Sequence, residues 1–278
     1  DREGGMYACP RSGVRTGNFY DDSASLLQPS CLRKVCDCYI AFSNLRDTPL
    51  RRMMGEGALW RIPERKKVRA VFFDIDGTLT DAQGRIPGRT VSALKYMSGR
   101  LPLYLSTALP MAHAKKRLGD VFDLFSGGVF ADGGFLCYED TVECVPVEHP
   151  VALDFPGCRI TRYTWKEEIF KYAVLAPTVR EATRLSAGLE GEAYQLYQEG
   201  RLLTVVDSRA GKKNGLMTLC SRLGISLREI LVVGNTMHDW PMMSVAGYSC
   251  AVMDAEEELK KLSGYILNPD SIPVFFDI

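Results

Sequence analysis

The sequence predicts an α/β protein: a doubly wound, mostly parallel sheet core with a small inserted α+β cap, preceded by an irregular, Cys-rich N-terminal segment. Three observations carry this expectation. Short apolar runs alternate with helix-spaced stretches from residue 67 onward, the pattern of strands joined by crossover helices. A proline-broken region over 146–205 interrupts that alternation with a strand, a helix and a strand pair of its own. The first 66 residues show no sustained hydrophobic period.

At 278 residues, 46% apolar and 24% charged, the chain is long enough to bury a sizeable core. Lys plus Arg equals Asp plus Glu at 34 each, which removes the global charge argument for nucleic acid or an anionic membrane as a partner. No run approaches the roughly 20 apolar residues of a membrane span, and the N-terminus lacks the basic-then-apolar order of a secretory signal. A cytoplasmic location and a small-molecule partner are therefore expected. Because Asp1 stands where an initiator Met would, the chain is expected to be processed or a piece of a longer protein.

Within the N-terminal segment, Cys9, Cys31, Cys36 and Cys38 follow the spacing C-x21-C-x4-C-x-C. A stretch this polar needs a staple to become ordered, and in a reducing compartment four thiols favour an iron-sulfur cluster or zinc over disulfides. Free cysteines in a poorly ordered tail are the alternative. The other five of the nine, Cys137, Cys144, Cys158, Cys220 and Cys250, sit in apolar contexts and read as small buried hydrophobes. Arg61 to Lys67, R-I-P-E-R-K-K, reads as a linker.

The opening strand from Val68 runs straight into Asp74 and Asp76. Alternation places both carboxylates on one side at the strand's exit, where ionised acids need a metal, a cation or water. Gly77 then permits a sharp turn. Arg89 to Met97 reads as a helix with Val91, Leu94 and Met97 on one face, Leu101 to Leu105 as a strand ending at Ser106-Thr107, and Met111 to Leu118 as a second helix. Ser126 to Tyr138 reads as two β-runs joined by a structural turn at Asp132-Gly133-Gly134. In the insertion, Lys171 to Ala176, Thr178 to Leu189, Ala193 to Tyr197 and Arg201 to Val206 form a β-α-β-β unit expected to lie over the site as a cap. Tyr163, Trp165 and Tyr172 are candidates for its entrance or for aromatic core. The core resumes with a helix over Lys212 to Leu223, a strand over Glu229 to Val233 ending in G-N-T-M-H-D, a short helix over Trp240 to Val245, a strand over Tyr248 to Val252 and a helix over Ala255 to Leu262.

Ligands of doubly wound sheets collect outside the carboxyl ends of the strands. Three predicted strand ends are polar there: Asp74 with Asp76, Thr107, and Asn235 with Asp239. Lys212 or its neighbour Lys213 reaches the same rim from the start of a helix. Mg²⁺ wants oxygen ligands and keeps several waters, so one or two carboxylates suffice. An aspartate can attack phosphorus, a lysine offsets the charge that develops, and a second carboxyl can protonate the leaving oxygen. His238 reads as a polar neighbour rather than as a ligand.

The run D-I-D-G-T-L at Asp74 to Leu79, Thr107, G-K-K-N-G-L around Lys212 followed by L-G-I-S from Leu223, and Gly234 to Asp239 together resemble, in order, the four motifs of the haloacid dehalogenase-like phosphatases of the Cof-type branch. The likeness spans about 67–278. It implies a Rossmann-like core over 67–145 and 206–278 with a cap over 146–205, and a Mg²⁺-dependent phosphatase acting on a small phosphorylated metabolite through an aspartyl-phosphate. Asp74 would be the nucleophile and Asp76 the general acid/base, with Thr107, Ala108 and Lys212 binding phosphate. The metal would draw on the Asp74 carboxylate, the Asp76 backbone carbonyl and Asn235, and Asp239 would orient Lys212 or a metal-bound water. Four positions depart from the family pattern: Asn235 replaces Asp, His238 replaces Asn, Ala108-Leu109 replaces Gly-Arg, and Asp132 replaces a common Asn. Asn235 removes one negative charge from beside a dication, so a catalytically weakened or regulatory module is the alternative expectation. Residues 1–45, with Gly17-Asn18-Phe19 between Cys9 and the later cysteine group, are similar to the cluster-binding C-terminal extension of radical SAM enzymes. That likeness implies an iron-sulfur cluster on the four cysteines and a fusion to such an enzyme upstream.

Overall fold

The structure is a computed structural model that describes residues 5–7, 15–18, 68–149, 157–189, 191, 193–276 and 278. The chain divides into one unit before residue 67 and another over 67–276 with 278. In the first, β1 (Gly5–Tyr7) pairs antiparallel with β2 (Arg15–Asn18), so a segment expected to be irregular carries a strand pair. The candidate metal ligands Cys9, Cys31, Cys36 and Cys38 lie outside the described residues.

The second unit is built on an eight-stranded sheet. Its strands are β3 (Ala70–Phe73), β4 (Leu103–Ser106), β5 (Gly127–Phe130), β6 (Phe135–Tyr138), β7 (Thr141–Cys144), β12 (Ile230–Gly234), β13 (Tyr248–Ala251) and β14 (Tyr265–Ile266). They lie in the order β14-β13-β12-β3-β4-β5-β6-β7. The pairs from β14 to β5 are parallel, while β6 and β7 add an antiparallel edge. Central β3 is buried at every residue, as its unbroken apolar run requires of a strand covered on both faces. The crossovers include α1 (Gly88–Ser98) and α2 (Met111–Leu118). The buried face of α1 is Thr90, Ala93, Leu94 and Met97, leaving Val91 only half-buried.

Between β7 and the later core strands the chain builds a second sheet, order β10-β11-β9-β8, from β8 (Arg159–Trp165), β9 (Glu168–Leu175), β10 (Tyr194–Glu199) and β11 (Leu202–Asp207), all antiparallel. With α3 (Val179–Leu189) the insertion is β-β-α-β-β, one strand more than the predicted β-α-β-β. The extra strand, R-I-T-R-Y-T-W, lies at the sheet's edge with no fully buried residue, so its apolar signal is diluted. The insertion holds its own small core of Tyr172, Val174, Leu203 and Val205. Tyr172 therefore packs inside it, and Trp165 packs on Phe135 at 5.3 Å, which leaves Tyr163 as the aromatic that lines the cavity described below.

The chain returns through α4 (Lys212–Leu223), α5 (Trp240–Met243), α6 (Glu257–Leu262) and α7 (Ile272–Phe276). Gly224 closes α4 in the left-handed conformation, φ 63°, which glycine adopts without Cβ strain. Cys220 and Cys250 are buried as expected, and burial pushes each thiol up to about 12, whereas Cys137, Cys144 and Cys158 are only half-buried. Among the described residues, no helix is long and apolar enough to cross a membrane.

Candidate active site

Strand register assembles the site. Phe73 is level with Leu105 on one side and Val233 on the other, so Asp74, Ser106-Thr107 and Gly234-Asn235 emerge together at one rim. The Asp74 amide donates to the Val233 carbonyl at 3.0 Å, and the Thr107 amide to that of Val129 at 2.9 Å. Asp74, Asp76, Thr107, Ala108, Lys212 and Asn235 line one cavity of about 530 Å³ beneath the insertion's sheet.

At the floor, Lys212 donates to Asp74 Oδ1 at 2.8 Å and to Asp239 Oδ1 at 2.7 Å, all three side chains being buried. Lys213, next along α4, is exposed, so of the two lysines it is Lys212 that meets Asp74 and Asp239. Burial works against the Lys212 ammonium, but Asp239 and Asp74 outweigh it and hold its proton affinity well above the ordinary range. Burial pushes the Asp74 carboxyl up to about 7; Lys212 opposes that rise and Asp239 adds to it. Asp239 also accepts from the amides of Asn235 at 2.9 Å and Thr236 at 3.2 Å, so one carboxylate fixes both the lysine and the loop. Gly234 permits that approach: a Cβ there would meet the Asp239 side chain at 2.5 Å.

Asp76 shares the cavity but not the burial. Its side chain is 49% exposed and pairs with Arg117 at 3.5 Å, because β3 has ended at Phe73 and simple strand alternation no longer applies. Thr107 accepts from the Leu109 amide at 3.1 Å. The carbonyls of Thr107, Ala108 and Leu109 accept from the Asp132 amide, Lys171 and the Ala131 amide respectively.

Thr78 Oγ1 lies 3.4 Å from Asp74 Oδ2 and 3.2 Å from Asn235 Oδ1, so these two oxygens converge on one hydroxyl. Among the described residues no group of three or more His, Cys, Asp or Glu could hold a metal ion. A cation at this corner would instead draw on one carboxylate, an amide oxygen, a backbone carbonyl and water. That all-oxygen set fits a hard ion such as Mg²⁺, and it carries one charge fewer than an Asp at position 235 would give.

The Asp132 turn, expected to be structural only, is the hub of the rim. Ala131 and Asp132 adopt left-handed φ values of 51° and 55°, uncommon for residues with a Cβ and found at sites the surroundings over-determine. The Asp132 amide donates to Thr107, and its carbonyl accepts from the Gly211 amide at the start of α4. Its fully buried carboxylate pairs with Lys171 at 3.0 Å and lies 3.2 Å from His238 Nε2, a contact too poorly aligned for a hydrogen bond. Burial alone would raise its proton affinity; His238, Lys171 and Lys212 hold it well below the usual carboxylate range. Lys171, buried in the apolar run of β9, crosses from the insertion to reach both Asp132 and the Ala108 carbonyl at 2.7 Å. His238 stacks on Tyr197 of β10, with centroids 4.3 Å apart. The one signal for Lys171 in the sequence is a charge inside an apolar strand.

A haloacid dehalogenase-like hydrolase family model matches residues 158–271. The chain is 29% identical to a phosphoglycolate phosphatase of Archaeoglobus fulgidus over 73% of its own length and 92% of that protein's. It is 26% identical to a phosphoglycolate phosphatase of Methanobrevibacter smithii over 72% and 92%. Among solved structures it resembles a haloacid dehalogenase-like hydrolase from Bacteroides thetaiotaomicron, with a TM-score of 0.63 at 17% identity, covering 76% of this chain and 99% of that one. A subclass IIB sugar phosphatase of the same superfamily aligns with a TM-score of 0.61 at 18% identity, covering 76% and 97%. The iron-sulfur reading of the N-terminal cysteines and the fusion to a radical SAM enzyme gain no support from these comparisons.

Proposed function

We propose that the chain is a phosphatase of the haloacid dehalogenase-like kind that hydrolyses a small phosphorylated acid through an aspartyl-phosphate, with Mg²⁺ as cofactor, a reading supported by the family-model match and the phosphatase relatives. The observation that carries this reading is the buried Lys212 held between Asp74 and Asp239 on the cavity floor. The relatives named phosphoglycolate phosphatase make 2-phosphoglycolate the first substrate to test.

Asp74 attacks phosphorus as the ester oxygen leaves, and Asp76, on the open side of the cavity, donates a proton to that oxygen. Asp76 then takes a proton from the water that cleaves the aspartyl-phosphate, releasing inorganic phosphate and restoring Asp74. Lys212 neutralises charge on the transferred group, while Thr107 and the Ala108 amide hold its oxygens. When bound on Asp74, the Asp76 carbonyl and Asn235, Mg²⁺ would offset the repulsion between carboxylate and phosphoryl group. Phosphate release from 2-phosphoglycolate should require Mg²⁺, stop with a chelator, and fall at least a thousandfold in Asp74→Asn. Wild-type turnover in that variant would end the mechanism.

Asn235 favours a second reading, a site weakened at its metal corner. In that case Asn235→Asp should tighten Mg²⁺ by about tenfold, on the order of 1.4 kcal/mol, and raise turnover at low Mg²⁺. Unchanged metal dependence would dismiss this reading.

A further inference from the structure

We infer that Lys171 is a specificity-determining residue of this site: its ammonium, delivered from the insertion, binds a carboxylate at the far end of a short phosphorylated acid. The inference rests on the phosphatase reading above and adds to it the group that recognises the non-phosphate end.

Placement is the first argument. β9 reads E-I-F-K-Y-A-V-L, and Lys171 lies in the middle of its buried stretch, 5% exposed. A lysine in such a place gives up hydration that only specific partners restore. Its ammonium has three N–H donors. The Ala108 carbonyl at 2.7 Å and Asp132 Oδ2 at 3.0 Å take two, leaving the third for the cavity that Lys171 lines.

Charge is the second argument. Of the described insertion residues that line the cavity, Lys171 is the only cation; its companions there include Tyr163, Ala173, Leu202 and Thr204, and the one acid is exposed Glu199. The other carboxylate oxygen of its partner Asp132 faces His238 Nε2 at 3.2 Å rather than the lysine.

Distance is the third. Lys171 bonds the carbonyl of Ala108, the residue next to Thr107, so a group bound on it lies close to a phosphoryl group bound on that loop. This proximity suits a carboxylate only a few bonds from the ester oxygen and disfavours long or neutral substrates.

The test uses the full chain with Mg²⁺ and two esters, 2-phosphoglycolate and ethyl phosphate, which is of similar size and lacks the carboxylate. Lys171→Met should lower kcat/KM for 2-phosphoglycolate at least thirtyfold and reduce its ratio to that for ethyl phosphate at least tenfold. Calorimetric binding of both esters in the Asp74→Asn background, with and without Lys171→Met, should give the same tenfold change in the ratio of Kd values. If the lone Asp132 carboxylate prevents folding of Lys171→Met, the pair Lys171→Met with Asp132→Asn removes both charges and takes its place. Equal losses on the two esters would make Lys171 a strut of the Ala108 loop and overturn the inference, as would no loss on either. Failure of the phosphatase reading looks different: no phosphate from either ester in the wild type, with the binding ratios still reporting on Lys171.

Discussion

At the scale of single residues, the site is a set of buried charges in which Lys212 is held between Asp74 and Asp239. Asp74 is raised to about 7 in the metal-free protein, chiefly by burial, against the usual carboxylate value near 3.9. Between roughly pH 4 and 7 the folded state then holds a proton that the unfolded chain has released, so stability falls as pH rises through that window. In chelator, the Tm should drop by several degrees from pH 5.5 to pH 8, and Asp74→Asn should abolish most of that drop. Mg²⁺ favours the ionised form, so its stabilising effect should be larger at pH 8 than at pH 5.5. A flat Tm across this range in wild-type protein would contradict the burial argument. Asp74, Lys212, Asn235 and Asp239 were legible in the sequence because each is fixed by local order: a strand end, a helix start, a loop five residues long. Lys171 and Asp132 were not, because their meaning lies in a pairing 39 residues apart across two sheets, which no local pattern records. Asp132 in particular reads as a turn residue and is one; its side chain serves the site because the backbone turns it inward.

At the scale of elements, most strands and helices were readable from apolar period and glycine position, with ends shifted by up to three residues. Two of the missed strands share a cause. β8 and β7 are edge strands with few buried positions, so hydrophobic alternation, the main signal for a strand, is faint in both. What the elements do for the site depends on close backbone contact. Gly133, at φ 84°, lets the β5–β6 turn abut the start of α4, where a Cβ would meet the Gly211 carbonyl oxygen at 2.3 Å. Gly133→Ala adds backbone strain to that clash and should cost above roughly 1 kcal/mol, lowering Tm by at least about 2–4 °C. It should also weaken phosphate binding, since it displaces Lys212. Thermal melts and phosphate affinity measured together check this; a stable variant with normal affinity would refute it.

At the scale of the whole unit over 67–276, there are two cores of different size. The sheet core is large and continuous, while the insertion relies on Tyr172, Val174, Leu203 and Val205. Leu203→Ala should cost about 2–5 kcal/mol of local stability, raising hydrogen exchange in β9 and β11 while leaving β3 and β12 protected. Uniform loosening of both sheets would mean that they unfold as one. The two linkers between these sheets are tied to each other. Arg209 bonds Asp207 at 2.7 Å, the Pro146 carbonyl at 3.1 Å and Glu148 at 2.5 Å, and the Glu148 amide donates to Asp207 at 3.1 Å. An opening of the insertion away from the sheet core would part Lys171 from Ala108 and Tyr197 from His238 in the same stroke, so those two contacts would give way together.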